Sequence, residues 1–434
     1  MWSAEQGIDC DGEFASENDG ESDSEGVTWD TGFYATTAGA ARQEPERTQV
    51  SRNDMGSFIA RHFKLPEAVS TKRNYGLDAL RAIAILLVVF SHGMLILPEL
   101  PYDTLLFFWT GYLGVELFFV LSGYLIGTIL LDLLLEERGD ASFSRSISEF
   151  WIRRWFRTLP NYYLFLLVNL AFVVSDSTGV YDHWRYFFFS QNLFSPMGDL
   201  MPESWSLSIE EWFYFSFPLV VCLFAWGFGR SLKAFSLATV FYISLFVILR
   251  MIAAYGEGIY WDMHLRKIVC LRLDAIAYGA SIMLLMRTRP TVMRRLRYIL
   301  LGAGLAGLAV SFLGLKHGLS FGLPPFLKAN LFTLTSVSAA FLLPYAVYQT
   351  ELSGGSKLRC AIAATSIISY SMYLLHYSVV LRLVLRWQGH FAWYCQYILY
   401  LIFCFLLSFL VYTLFERRMT ACRERYAKKA TVEP

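Results

Sequence analysis

The chain has 434 residues, of which 55% are hydrophobic and 17% aromatic, and its mean hydropathy is +0.42. Long apolar blocks recur almost to the C-terminus, a composition that excludes an ordinary soluble protein and predicts an integral membrane protein. The formal net charge of +1 hides a division, because residues 1–54 carry 13 acidic and 3 basic side chains whereas the remainder carries 23 and 34.

The first segment, residues 1–54, is rich in Ser and Gly and poor in aliphatic residues. Such a segment buries too little apolar surface to offset the entropy of ordering, so we predict that it is disordered. It has no apolar core suited to a signal peptide. A dispensable extension, or a true start at Met55, is favoured over a regulatory acidic tail.

From Leu77 onward the apolar blocks predict an all-α fold, a polytopic membrane bundle with about ten spans. Lys and Arg number 24 in one set of alternate loops and 7 in the other. The positive-inside rule then places both termini in the cytoplasm. The predicted spans are 78–98, 111–134, 159–175, 206–226, 235–254, 268–286, 298–315, 328–349, 368–386 and 393–415.

Polar residues interrupt the first span. A charged side chain near the bilayer centre costs roughly 2.5–3.5 kcal/mol even on the lenient insertion scale. Arg81 lies near the cytoplasmic end and has the alternative of snorkelling to the interface. His92 lies eleven residues further on, about 16 Å along a helix and about 20° around it, and Asp78 lies within about 60° of the same face. An imidazole moves protons well near neutral pH, so this shared face predicts a functional site.

Six stretches together resemble the membrane-bound acyltransferase-three family, in order and in approximate spacing, over nearly all of residues 75–416. That family includes O-acetyltransferases of O-antigen, exopolysaccharide and nodulation factor, and macrolide O-acyltransferases. The stretches are YGLDALRAIAILLVVFSHG (75–93), GVELFFVLSGYLIGTILL (114–131), WIRRWFRTLPNYYLFLL (151–167), WSLSIEEWFYFSFPL (205–219), CLRLDAIAYGASIMLL (270–285) and ISYSMYLLHYSVVL (368–381).

The resemblance implies a multi-pass enzyme of the bacterial inner membrane that transfers an acyl group, most often acetyl from acetyl-CoA, to a hydroxyl of a sugar or similar acceptor. It also implies that His92 and Arg81 are the essential pair. We expect the single-domain type, without a C-terminal hydrolase-like domain, divided into a tail with a basic flank (1–73), a transmembrane domain (74–418) and a basic cytoplasmic tail (419–434). We expect neither a metal nor a nucleic-acid partner, and the seven scattered cysteines predict no disulfide framework.

Acyl transfer needs a base and a site for the anionic donor. His92 is the candidate base. Arg153, Arg154 and Arg157 lie at the cytoplasmic mouth of the third span and are the candidate donor site, because guanidinium groups bind phosphate with two parallel hydrogen bonds. An ordinary positive-inside flank is the alternative for these three residues. Glu116, where relatives commonly have Asp, is a candidate to orient His92 as a carboxylate orients an imidazole in hydrolases, or is a structural carboxylate.

In the fourth span, Trp205 and Glu210 are candidate substrate-binding residues. Trp205 also fits an aromatic belt at the outer interface. Glu210 and Glu211 lie about 100° apart on a helix, and the family motif favours Glu210 as the inward one.

Arg272 and Asp274 are two residues apart in the sixth span, so each needs a partner elsewhere. A structural or donor-path role is predicted for both. His376 shares a broad helical face with Tyr373 and Tyr377, which favours hydrogen-bonded packing over catalysis. Many relatives have Glu followed soon by Pro after the last span, where this chain has LFERRM, which weakens any role for Glu416.

Two other classes remain open. A transporter would also have many spans and inward charge, but would more often show internal repeats or broken helices at matched positions, which the sequence lacks. A non-catalytic scaffold would not need Arg81 and His92 on one face. Acetyl-CoA dependence separates the enzyme from both. A cytoplasmic small-molecule alcohol such as a macrolide is the alternative acceptor, and the sequence does not specify an oligomeric state.

Overall fold

A computed structural model describes residues 74–97, 104–136, 140–174, 183–349, 356–387 and 390–422. These residues are built from helices joined by turns, which confirms the all-α prediction. The tail predicted to be disordered, with its basic flank (1–73), and most of the predicted C-terminal tail (419–434) lie outside the described residues.

The helices are numbered here in chain order over the described residues. They are α1 Tyr75–Gly93, α2 Thr104–Leu135, α3 Asp140–Val174, α4 Trp184–Phe187, α5 Ser204–Phe228, α6 Leu232–Ala254, α7 Asp274–Thr288, α8 Pro290–Phe321, α9 Pro325–Ala340, α10 Leu343–Tyr348, α11 Ser356–Leu375, α12 Arg382–Leu385 and α13 Trp393–Val411.

Eight helical stretches of the described residues are long and apolar enough to cross a membrane. They coincide with eight of the ten predicted spans. The total of ten spans and the cytoplasmic location of both termini remain predictions. The eight stretches are Tyr75–Ile96, Leu105–Leu135, Ser204–Phe228, Leu232–Ala254, Pro290–Gly318, Pro325–Tyr348, Lys357–Leu385 and Trp393–Cys422.

The other two predicted spans are also helical, but they differ from a simple apolar rod. The segment 159–175 is the second half of α3, whose 35 residues begin with a polar, charged stretch. The segment 268–286 contains the 15-residue α7, which follows a short 3-10 turn at Val269–Leu271. Arg272 and Asp274, which were predicted to need partners elsewhere, lie just before this shorter helix and at its first residue.

Polar and apolar side chains are distributed as a lipid environment requires. Large apolar residues such as Leu223, Trp226 and Ile252 are 58%, 88% and 67% exposed, whereas Arg250 and Arg272 are fully buried. Charge in a bilayer is turned toward the interior of the bundle and paired there, and this chain follows that rule.

Helices α2 and α7 pack with their backbones in close contact. A Cβ atom at Gly123 would lie 1.8 Å from the Ile276 carbonyl oxygen, and one at Gly279 would lie 2.0 Å from that of Val120. Small residues permit such an approach between membrane helices. The two glycines therefore set the spacing at which side chains on α2 and α7 meet.

Three short segments adopt π-helical turns, Trp261–Arg266, His376–Leu381 and Tyr412–Glu416. Such turns are rare and are often found at functional sites. The second begins at His376, directly after α11, and the third ends at Glu416.

Candidate active site

The polar face of α1 meets α11 and the π-helical turn that follows it. Asp78, near the start of α1, accepts a hydrogen bond of 2.7 Å from the Ser366 hydroxyl. Near the other end, His92 Nδ1 lies 2.9 Å from His376 Nε2. Arg81 lies between these two contacts along α1 and lines a cavity. The predicted common face of Asp78, Arg81 and His92 is therefore confirmed.

The cavity lies among α1, α2, α3, α5 and α11. It contains about 680 Å³ of empty space, its solvent-open part included. Its polar lining comes mainly from α1, α3 and α5, and its apolar lining mainly from α2. The lining residues are Arg81, Val115, Phe118, Phe119, Ser122, Arg154, Arg157, Thr158, Ser206, Leu207, Glu210, Tyr214, Ser369, Tyr370 and Tyr373.

Three of the arginines singled out in the sequence meet in this cavity. Arg81 comes from α1, and Arg154 and Arg157 come from α3, one turn apart. Glu210 contributes the one carboxylate among the lining residues. The wall therefore has an excess of positive charge, which favours an anionic ligand.

Glu210 is held by one hydroxyl group from α2 and one from its own helix, α5. Ser122 on α2 donates to Oε1 at 2.8 Å, and Tyr214 donates to Oε2 at 3.1 Å. The Arg154 guanidinium carbon lies 4.6 Å from the centre of the Tyr214 ring. Glu210 thus faces the cavity as predicted, but the adjacent Glu211 is buried as well, at 9% exposure.

Arg153 and Trp205 lie outside the lining of this cavity. The Arg153 side chain is 55% exposed and lies 3.5 Å from Glu149, four residues earlier on the same helix. This separates Arg153 from the two arginines with which it was grouped. Trp205 is buried and makes an edge contact with Phe119, a lining residue, so it supports the wall from behind. The Arg266 guanidinium lies 4.5 Å from the centre of the Trp205 ring.

Glu116 forms an ion pair inside the bundle. Arg272 donates to Oε1, and the Ser336 hydroxyl donates to Oε2 at 2.6 Å. Both carboxylate oxygens are thus engaged by α9 and by the segment before α7. The described contacts of Glu116 are those of a structural carboxylate, one of the two alternatives left open by the sequence, and the ring nitrogen nearest to His92 Nδ1 is that of His376.

Arg250 and Asp274 form a second buried ion pair, with bonds of 2.6 and 2.9 Å. Arg250 also donates to the carbonyls of Ala329 and Leu271, at 3.0 and 2.8 Å. The prediction that Arg272 and Asp274 each need a partner elsewhere is confirmed. Both pairs join separate helices, which is the structural alternative left open by the sequence.

His376 is the residue whose position the sequence did not indicate. It is fully buried, and its Nδ1 lies 2.7 Å from the Tyr373 carbonyl oxygen. The Tyr377 ring packs edge-on against His92, with ring centres 4.8 Å apart. The face shared by Tyr373, His376 and Tyr377 therefore packs on His92, and this makes His376 its direct ring-to-ring partner.

Tyr373 connects the cavity with the histidine pair. Its side chain lines the cavity, and its hydroxyl lies 2.5 Å from that of Ser206. The Tyr373 hydroxyl also donates to the Glu203 carbonyl at 3.1 Å, while its own backbone carbonyl accepts from His376. One residue thus lies between the arginine cavity and His376.

Two acids, Glu203 and Asp262, lie outside the eight membrane-spanning stretches. Burial raises the pKa of the Glu203 carboxyl to about 7, although the Ser378 hydroxyl donates to it. Burial also acts on Asp262, but Arg266 and Lys267 outweigh it and lower the pKa of Asp262 to about 2. Asp262 is therefore ionised at neutral pH and neutralises part of this cationic loop.

Glu416 is also buried, at 8% exposure. It accepts a hydrogen bond of 2.9 Å from Asn161 on α3 and another from Ser371 on α11. These contacts tie the end of α13 to the helices that line the cavity. Among the described residues, no group of three or more His, Cys, Asp and Glu side chains is arranged to hold a metal ion.

A model of the acyltransferase-three family, described as an acyltransferase domain, matches residues 74–413. The chain belongs to the acyltransferase-three family. The match covers the bundle and every residue discussed above except Glu416. No solved structure matches the chain.

Curated relatives of this acyltransferase-three chain include proteins of three bacterial species. A putative peptidoglycan O-acetyltransferase, YrhL of Bacillus subtilis, is 28% identical over 70% of this chain and 48% of its own length. The peptidoglycan O-acetyltransferase OatA of Listeria monocytogenes is 31% identical over 34% of this chain and 24% of its own. A putative O-acetyltransferase of Staphylococcus aureus strain COL is 36% identical over the same shares. The chain thus spans about half or less of the curated relatives it matches.

Proposed function

We propose that this membrane protein is an O-acyltransferase that moves an acyl group, acetyl from acetyl-CoA, to a hydroxyl of a surface or secreted carbohydrate. The observation that carries the proposal is the cavity with three arginines, whose lining residue Tyr373 contacts the His92–His376 pair through its backbone carbonyl. The names of the relatives, which include peptidoglycan O-acetyltransferases, support a carbohydrate acceptor.

The donor fits the cavity by charge and by polarity. Coenzyme A carries several phosphate charges, and guanidinium groups bind phosphate in bidentate fashion. Arg81, Arg154 and Arg157 supply three such groups. The apolar lining from Val115 and Phe118 suits the uncharged pantetheine arm and its acetyl group.

His92 is the group that takes the proton. The acceptor oxygen bonds to the thioester carbonyl carbon while His92 removes the hydroxyl proton, and the carbon–sulfur bond then breaks. The proton passes from His92 to the departing thiolate, so an ester and free coenzyme A are the products. General base catalysis of this kind contributes about 10²–10⁴ in rate.

Donor and acceptor approach from opposite sides of the bilayer in this proposal. Arg81 and His92 are separated by about 16 Å along α1, roughly half of the hydrocarbon thickness. The donor is cytoplasmic and enters at the arginines, while the acceptor meets the outer end near His92. The proposed location is the inner membrane of a bacterium, which has cytoplasmic acetyl-CoA on one side and surface carbohydrate on the other.

The deciding experiment measures transfer of labelled acetyl from acetyl-CoA to base-labile ester on carbohydrate, in membranes that contain the protein. His92→Ala should retain less than a few per cent of the transfer at normal abundance. Arg81→Lys should also fail, because a point charge does not replace a bidentate fork. His390, an exposed histidine in the loop before α13, provides the control His390→Ala, which should transfer at the wild-type rate.

Two outcomes would contradict the proposal. Substantial transfer by a normally abundant His92→Ala variant would remove the base from the mechanism. Labelling of engineered sites near His92 by a membrane-impermeant probe from the cytoplasmic side alone would exclude the two-sided arrangement. A small-molecule alcohol inside the cell would then be the better acceptor.

A further inference from the structure

We infer that His376 is a positioning residue, which holds the proton of His92 on Nδ1 and so leaves His92 Nε2 as the reactive nitrogen. The inference rests on the proposed role of His92 as base. It goes beyond that role, because it fixes which nitrogen reacts and which residue determines this.

The argument starts at the Tyr373 carbonyl, which can only accept a hydrogen bond. His376 Nδ1 lies 2.7 Å from that oxygen, so Nδ1 carries a proton. A neutral imidazole has one proton, and His376 Nε2 is therefore an acceptor. Its partner at 2.9 Å is His92 Nδ1, which must donate. His92 is left with an unprotonated Nε2, the atom that a general base or nucleophile requires.

The local backbone explains why His376 can act in this way. A π-helical turn begins at His376, directly at the end of α11. The Tyr373 carbonyl, three residues back on α11, accepts from the side chain of His376. The imidazole is fully buried, so its two ring nitrogens depend on these protein partners.

A second imidazole has an advantage over a carboxylate in this environment. A buried carboxylate needs a paired cation, and Glu116 has one in Arg272. His376 is neutral and accepts through one nitrogen without adding charge. When His92 gains the hydroxyl proton, its Nδ1–H still donates to His376, now as a stronger charge-assisted hydrogen bond. His376 thus stabilises the protonated state that forms during transfer.

The test compares two amides that differ by one methylene group. In His376→Gln the amide oxygen reaches the position of Nε2 and can accept from His92. In His376→Asn the amide reaches toward the Tyr373 carbonyl but stops short of His92. We expect the glutamine variant to keep kcat within about tenfold of wild type, and the asparagine variant to lose about 10²–10⁴ in kcat, the range of general base catalysis.

A purely structural role would move binding and turnover together, so KM and kcat are measured separately. Both variants should keep the wild-type KM for acetyl-CoA within about twofold, because the arginines of the cavity are unchanged. This donor binding also demonstrates that each variant is folded. If either variant does not bind donor, His376→Leu, which cannot accept from His92, is compared with the remaining amide variant.

The result that overturns the inference is a kcat for His376→Asn equal to that of wild type, or equal losses in kcat for the two amides. Failure of the proposed function gives a different pattern. If His92→Ala keeps full transfer, the base assignment is wrong whatever the His376 variants do. If His92→Ala is inactive and His376→Asn is fully active, only the positioning role is wrong.

Discussion

The cavity and the two buried ion pairs at the start of α7 differ in how many carboxylates accompany their arginines. On the ion-pair side, Arg250 has Asp274 and Arg272 has Glu116, so each cation has its own buried carboxylate. The lining of the cavity contains three arginines and one glutamate. Matched charge joins helices, whereas an excess of one sign in a partly open cavity favours a ligand of the opposite sign.

The largest effect should follow from breaking a matched pair. Arg250→Met leaves the Asp274 carboxyl buried without its partner, which costs about 3–5 kcal/mol. We expect a large fall in the midpoint of thermal unfolding, measured by intrinsic tryptophan fluorescence in detergent. Replacing both residues, as Arg250→Met with Asp274→Leu, should restore most of the stability.

The control for this prediction is an ion pair outside the core. Arg287 and Asp132 lie 2.7 Å apart, but their side chains are 59% and 51% exposed. Exposed pairs contribute about 0–1 kcal/mol, so Arg287→Gln should change the unfolding midpoint little. An equal fall in the unfolding midpoint for the buried and the exposed variant would show that burial does not determine how much an ion pair stabilises the fold.

An arginine that lines the cavity should instead affect binding. Arg157→Gln removes a donor group for phosphate, and a hydrogen bond to a charged group contributes about 1.5–3 kcal/mol. The KM for acetyl-CoA should rise about tenfold or more, while the KM for the acceptor and the unfolding midpoint change little. Arg153→Gln is the matched control, because Arg153 is exposed beside Glu149, and its donor KM should stay near wild type.

The arginine variants can also contradict the contrast between the buried ion pairs and the cavity arginines. An unchanged donor KM in Arg157→Gln would mean that the cavity cations are an ordinary positive-inside flank. A rise in the KM for donor with Arg153→Gln as large as with Arg157→Gln would place the donor outside the cavity.

Glu203 gives a third arrangement, an acid paired with a hydroxyl. Its folded pKa of about 7 lies above the ordinary 4.5, so folding favours the protonated form. Its contribution to stability is complete below about pH 4.5 and is lost as the pH rises through about 7. The unfolding midpoint should therefore decrease between pH 5 and 8, and Glu203→Gln should flatten that slope. An unchanged slope in the variant would assign the pH dependence to another group.

Helical periodicity accounts for what the sequence could predict of the site. The face shared by Asp78, Arg81 and His92 depends only on the angle between residues on one helix. The same angle showed that Arg272 and Asp274 cannot pair with each other. Both results hold in the folded chain because they are local.

The partners across helices depend on packing that a single sequence does not reveal. His376 lies 284 residues from His92, and the partner of Glu116 depends on how closely α2 approaches α7. Arg153 and Arg154 differ by about 100° around α3, yet the sequence grouped them because the position of the cavity was unknown. Shared charge type therefore did not reveal that Arg154 and Arg157 line the cavity while Arg153 faces away from it.

The close approach of α2 and α7 determines which mutations should inactivate the protein without changing a charged residue or a histidine. A methyl group at Gly123 or Gly279 would overlap a carbonyl oxygen of the facing helix, at 1.8 and 2.0 Å. The two helices would have to separate, and the halves of the Glu116–Arg272 pair would separate with them. A genetic screen for inactive alleles should therefore recover alanine at these glycines, and such alleles would carry intact arginines and histidines.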